Sequence, residues 1–180
     1  MTYRAEELEM QAVLQVAAQM CAAARTAPKA RGVDCIHTLV VTGQEKDSLA
    51  EELRRLGNEM EIAFYLRDAD CLDKSQAVVL IGSEREYRGL GSPCAYCGHG
   101  SCEGCAQAGG HCVYGPMDLG IALGSAVGAA ADHRVDNRIL YSAGKAALSL
   151  RMMDENVDII MAVPLSVTGK SPFFDRKKKS

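Results

Sequence analysis

The stretch from Ser83 to Pro116 most constrains how this chain can fold. It carries glycines at 89, 91, 98, 100, 104, 109, 110 and 115, and five cysteines: Cys94, Cys97, Cys102, Cys105 and Cys112. A structureless segment of this length is unusual inside a packed domain unless something other than protein orders it. A bound metal cluster would supply that order.

The rest of the chain argues that these thiols are reduced. The opening residues MTYRAEELE place acids where an export signal carries basic residues and then an apolar run. The longest apolar run, Leu119 to Ala131, falls far short of the roughly 20 residues a membrane helix needs, and Asp118 and Asp132 bracket it. A cytoplasmic protein with no membrane partner is expected, and thiols there stay reduced. Eight cysteines in 180 residues then need a different use from disulfides. Clustered thiols in a reducing compartment read as metal ligands or redox centres. The scattered Cys21, Cys35 and Cys71 read as ordinary buried side chains. The net charge of −3, from 20 basic against 23 acidic residues, argues against nucleic acid or an anionic membrane as partner. The one basic run, Arg176 to Lys179, reads as a solvated tail.

An iron–sulfur cube takes four thiolates, with backbone wrapped closely around the inorganic sulfides. Cys94-x2-Cys97-x4-Cys102-x9-Cys112 meets that description, with Cys105 either a spare or a substitute for Cys112. Two other readings of the same residues stay open. Cys94/Cys97 and Cys102/Cys105 form two CxxC pairs, and with His99 and His111 nearby they suggest zinc. Zinc ribbons, however, usually place about 15–20 residues between their pairs, and these are four apart. Thiol or disulfide chemistry at one CxxC would leave the other cysteines unexplained.

The flanking pattern predicts an α/β (α+β) sandwich, a central sheet flanked by helices, built as a single domain over 1–180. The cluster loop 83–116 is inserted before the central helix, and 166–180 forms a C-terminal extension. Helices are expected over Ala5–Arg25, Lys46–Met60, Asp118–Ala131 with Asp118 as N-cap, and about Gly144–Glu155. The segment through Phe64 and Tyr65 is read as helical or extended. Buried strands are expected at Ile36–Thr42, Ala77–Gly82 and Val157–Val163. Gly120, Gly124 and Gly128 make a bare stripe that costs about 1 kcal/mol per position against alanine, which suggests close approach of a neighbour. Arg134, Asp136, Asn137 and Arg138 form a polar knot that ties a turn or grips a cofactor or partner subunit.

Four strings together resemble the family of ferredoxin-domain-containing proteins of unknown function. They are Cys94-Ala-Tyr-Cys97-Gly, Asp118-Leu-Gly-Ile-Ala-Leu-Gly-Ser-Ala-Val, Arg134-Val-Asp-Asn-Arg138 and Gly169-Lys-Ser-Pro-Phe-Phe-Asp-Arg176. That resemblance implies a [4Fe–4S] cluster on Cys94, Cys97, Cys102 and Cys112, and Cys105 is not part of the family pattern. A weaker resemblance joins Ala22-Ala-Ala-Arg-Thr-Ala-Pro-Lys-Ala-Arg31, Leu39-Val-Val-Thr-Gly43 and Ile160-Met-Ala-Val-Pro-Leu-Ser166 to nitroreductase-type flavoproteins. It implies their fold, a homodimer, and an FMN framed by Arg25, Lys29, Arg31, Ser166, Gly169, Lys170 and Arg176. The usual N-terminal Arg-Arg-Ser segment is missing, Lys29 stands where a serine is common, and Ser166 replaces a glycine. Physically, those basic side chains are phosphate donors or solvated surface charges.

No GxSxG, HExxH or GxxxxGK[ST] motif occurs, so no hydrolytic machinery is read. The expected function is electron transfer or reduction, with a zinc-stabilised binding module, or a small electron carrier or sensor without flavin, as alternatives. Serine substitution is expected to separate the surplus thiol from the ligand. Cys112→Ser loses iron and Cys105→Ser keeps it, read as iron and sulfide content after anaerobic purification; the reverse result exchanges the two assignments.

Overall fold

The computed structural model describes residues 1–174. Strong helix formers carry α1 over Ala5–Thr26, with Val13, Val16, Ala17, Met20 and Ala24 buried along one stripe. It ends at Ala27 because Pro28 disfavours a helical conformation in the residue before it. A single 3-10 turn, Ala30–Gly32, then leads into β1, Ile36–Val41. The helices α2, Gly43–Glu59, and α3, Ala63–Asp73, connect β1 to β2, Ala77–Glu84. The Phe64–Tyr65 segment is therefore helical. Beyond β2 lie α4, Cys102–Gln107, α5, Tyr114–Asp132, the two-residue β3, Asp136–Asn137, α6, Tyr141–Ser149, and β4, Val157–Ser166.

The strands form one sheet in the order β1-β2-β4-β3, and every pair is antiparallel. Both faces are covered. Ala77, Val79 and Ile81 of β2 point with Val163 and Leu165 of β4 into the layer built by α1 and α5. Val78 and Leu80 point the other way, with Ile160 and Ala162, toward α2, α3 and α6. The side-chain period of two is thus intact, but both phases are apolar, which is why these strands read as continuous hydrophobic runs.

Three expectations need correction. The long loop contains a helix of its own, α4, capped by the Ser101 hydroxyl accepting from the Gly104 amide at 3.1 Å. The central helix starts at Tyr114 rather than Asp118. Pro116 fits there because first-turn amides have no partner inside a helix in any case. Asp118 is consequently no N-cap but a buried residue of the second turn. The glycine stripe of α5 has no neighbour among the described residues, since an added Cβ at Gly120, Gly124 or Gly128 would meet nothing within 4 Å. The opposite face of α5, with Leu119, Ala122 and Ala126, supplies the packing.

Gly144 is the converse case, because a Cβ there would lie 1.8 Å from the Ile160 carbonyl oxygen where α6 crosses β4. Gly144→Ala is expected to destabilise by about 3 kcal/mol or more in urea unfolding. Gly124→Ala is expected to gain up to about 1 kcal/mol, since it adds only helix propensity.

Candidate metal centre

All five loop cysteines line one cleft that opens to solvent, together with Tyr87. The connection Cys102 to Cys105 is three residues of α4, so both thiols fall on one face of that helix. Cys105 is the most buried of the five at 1% exposure, and burial pushes its thiol pKa up. Its neighbourhood has no room for a side chain at Gly110, whose Cβ would sit 3.1 Å from Cys105 Sγ and 2.9 Å from His99 Nε2. The cleft lining includes no carboxylate and no imidazole, so neither His99 nor His111 contributes to it. Five soft sulfur donors with no carboxylate suit iron–sulfur clusters or zinc better than hard cations. Among the described residues, no three His, Cys, Asp or Glu side chains gather at single-ion spacing.

The loop is held at two points, one on the sheet and one within the loop itself. At the first, the register of β2 and β4 passes from Ser83↔Ile159 to Glu84↔Val157, leaving Asp158 as the extra residue of a bulge. Bulges re-aim side chains beside functional sites. Here Asp158 accepts from Arg85 Nε at 2.6 Å and lies 3.6 Å from His111 Nδ1, next to Cys112. At the second, Tyr87 donates its hydroxyl to the Gly110 carbonyl at 2.9 Å.

The next residue, Arg88, is buried and pairs with Asp118 of α5 at 2.8 Å, the two side chains being 1% and 3% exposed. The second oxygen of Asp118 accepts the Ala30 amide at 3.0 Å, and Arg31 donates to the Arg88 carbonyl at 2.5 Å. Burial works most strongly against the Arg88 charge, but the Asp118 hydrogen bond and the surrounding negative groups together outweigh it and hold the guanidinium ionised. One ion pair therefore fastens the cysteine loop, the central helix and the turn after α1 to each other. No motif pointed to Arg88, the last of four charged residues (Glu84, Arg85, Glu86, Arg88) before an almost uncharged stretch.

The residues expected around a flavin fall into two groups. Arg25, Lys29 and Arg31 lie near the Ile36 end of β1, which pairs with Ser83 beside the cysteine loop. Arg25 donates to the Ile36 carbonyl at 3.0 Å and pairs with Asp34. Lys29 spends its ammonium on the Ala24, Arg25 and Ala27 carbonyls at the end of α1. Ser166 is buried at the far end of the sheet, one residue past the Ala77↔Leu165 pair, and is followed by exposed Gly169 and Lys170. Six residues of β2 separate the two groups, about 20 Å at the rise of an extended strand. Arg176 lies outside the described residues. The polar knot serves the fold locally: Arg138 donates to the Phe173 carbonyl at 2.9 Å and stacks over Phe174, and Asp136 and Asn137 form β3. Cys35 and Cys71 are buried, and burial raises their thiol pKa values and that of the half-buried Cys21.

Residues 108–176 match the family model described as "Uncharacterized protein containing a ferredoxin domain (DUF2148)". A protein from Archaeoglobus fulgidus is 42% identical over 168 residues, covering 89% of each chain. The chain belongs to this ferredoxin-domain family. Solved structures similar to it share the fold at low identity. One is a BluB-like flavoprotein from Clostridium difficile, with TM-score 0.58, 16% identity, and 92% of this chain and 84% of that one covered. Another, from Desulfovibrio desulfuricans, is described as a nitroreductase in complex with FMN; its TM-score is 0.60 at 14% identity, covering 91% of this chain and 78% of that one. The family member described here therefore has a nitroreductase-like fold. No helix among its described residues is long and apolar enough to cross a membrane.

Removing one partner of a buried ion pair strands the other, at a cost of about 3–5 kcal/mol. Asp118→Ala is expected to lose that much stability in denaturant unfolding, because it also frees the Ala30 amide. A loss below about 1 kcal/mol would show that the strut is dispensable.

Proposed function

We propose that this protein is an iron–sulfur redox protein. It holds one [4Fe–4S] cluster on Cys94, Cys97, Cys102 and Cys112 and acts in electron transfer or in a flavin-assisted reduction. The observation that carries this reading is the donor set: five thiols share one cleft whose lining has no carboxylate and no imidazole. The ferredoxin-domain family supports the same reading. A bound cluster would supply one-electron chemistry. The chain's own residues would hold it, screen it with Tyr87 and the close-packed Gly110 turn, and brace the loop through Arg88 and Asp158.

The FMN arm of the proposal rests on the fold and on the FMN bound to the Desulfovibrio protein. Within one chain the candidate contacts fit a flavin phosphate poorly, because Lys29 is already engaged and the two basic groups lie at opposite ends of β2. Two copies would be needed to bring them together. The uncharged, unpartnered face of α5, with Met117, Gly120, Ile121, Gly124 and Gly128, supports a homodimer as the working form. A single-domain protein of the cytoplasm suits oxygen-sensitive thiolate chemistry.

Cofactor analysis of anaerobically purified protein tests the reading. A brown protein with iron and sulfide near four each per chain is expected, and a colourless one holding zinc overturns it in favour of a structural binding module. Flavin released on denaturation separates the reductase from a simple carrier. Gly124→Glu is expected to turn a dimer into a monomer in light scattering with little change in melting temperature, since the added side chain meets nothing in its own chain.

A further inference from the structure

Cys105 is the thiol that the proposed cluster leaves over, and α4 fixes which cysteine is its neighbour. Cys102 and Cys105 are the first and fourth residues of that helix. Helical rise and turn put Cα atoms three residues apart at about 5 Å. Disulfides bridge Cα separations of about 4.4–6.8 Å, so this pair stands within range as it is. Both residues also line the same cleft. Cys94 and Cys97, the other CxxC pair, lie outside any helix, with Ala95 between them at φ 45°, so no regular geometry sets their spacing.

Burial gives the two thiols of α4 different parts. Cys105 is 1% exposed, and its sulfur is hemmed in at Gly110, where an added Cβ would lie 3.1 Å from it. A dissolved oxidant cannot reach it. Cys102 is half-buried and can meet one. The helix also sets how firmly the pair would hold. Cβ atoms three apart on a helix lie about 5–6 Å from each other, and a disulfide needs about 3.5–4.5 Å. The bond therefore forms only by tightening α4, and strained disulfides of this kind are the easily reduced, regulatory ones.

We infer that Cys102 and Cys105 are a redox-active dithiol, oxidised by small-molecule disulfides when the cleft holds no cluster. The Cys102 thiolate attacks one sulfur of oxidised glutathione, forms a mixed disulfide and releases one glutathione. Cys105 then attacks the Cys102 sulfur, closes the Cys102–Cys105 bond and releases the second glutathione. Two cysteine thiols are oxidised by two electrons, one glutathione disulfide is reduced, and the two cysteine protons end on the two glutathione thiols. The bond withdraws Cys102 from the cleft's five thiols and leaves Cys94, Cys97 and Cys112, one fewer than a cube takes. Reduction of the pair thus becomes a condition for loading the cluster. This gating rests on the cluster reading, whereas the disulfide itself does not.

The test begins with cluster-free wild-type protein, reduced and then treated anaerobically with oxidised glutathione. Remaining thiols are blocked with iodoacetamide, the disulfide is reduced, and the released thiols are labelled with N-ethylmaleimide and located by tandem mass spectrometry. Label on Cys102 and Cys105 together is expected, in a protein that was lighter by two hydrogen atoms before reduction. Label on any other pair, or glutathione adducts with no internal disulfide, overturns the inference. Cys105→Ser is expected to stop at the mixed disulfide and keep glutathione on Cys102; an internal disulfide in that variant also overturns it.

Reconstitution with iron and sulfide then tests the gating separately. Reduced wild type is expected to bind both, the oxidised form neither, and oxidised protein returned to dithiothreitol both again. Equal uptake by the oxidised and reduced forms overturns the gating. Reduced wild type that binds neither overturns the cluster reading and the gating with it, while the labelling still decides the pair.

Discussion

The buried pair of Arg88 and Asp118 holds together parts of the chain that nothing else joins so directly. Asp118 stands in the second turn of α5 and takes two donors, the Arg88 guanidinium and the Ala30 amide. Arg88 stands at the entrance of the cysteine loop, and its own carbonyl receives Arg31. A segment with so little apolar surface cannot fix its position by hydrophobic burial, which is non-directional and scales with area. A desolvated ion pair is directional and severe when broken. It therefore does for the loop what the two apolar layers do for the sheet.

That division of labour runs through the whole fold. The helices α1 and α5 on one side and α2, α3 and α6 on the other bury both faces of a four-stranded antiparallel sheet. The cysteine loop hangs from one end of that sheet, tethered by Asp158 at the β4 bulge and by Asp118 at α5. Placing a candidate binding site on a loop held by a packed scaffold is a recurrent arrangement, because loops tolerate irregular backbone.

Much of this was legible in the residues. The strands at Ile36, Ala77 and Val157 lie where continuous β-branched runs put them, and the first helix matches its pattern almost to the residue. The cysteines announce a soft-ligand site by type and spacing. Other features left no such mark. The α4 turn is only six residues long and holds a glycine between its two cysteines, so periodicity cannot reveal it. Asp118 looks like a cap because caps are usually acidic and precede apolar runs, yet Pro116 lets the helix begin a turn earlier. The roles of Lys29 and Arg31 were hidden for a simpler reason: a cation facing its own chain's carbonyls has the same sequence signature as one awaiting a phosphate.

By itself the sequence determined the composition of the site, the number of thiols, and the existence of a doubly covered sheet. These follow from residue type and local spacing, which are properties of neighbouring residues. Only the tertiary structure decided that all strands run antiparallel, that Cys105 shares the cleft with the other four thiols, and that the two groups of basic residues lie at opposite ends of β2. It alone brought Arg88, Asp118 and Ala30 together across long stretches of chain. Contacts of that kind depend on how layers pack, and no window of sequence contains both partners.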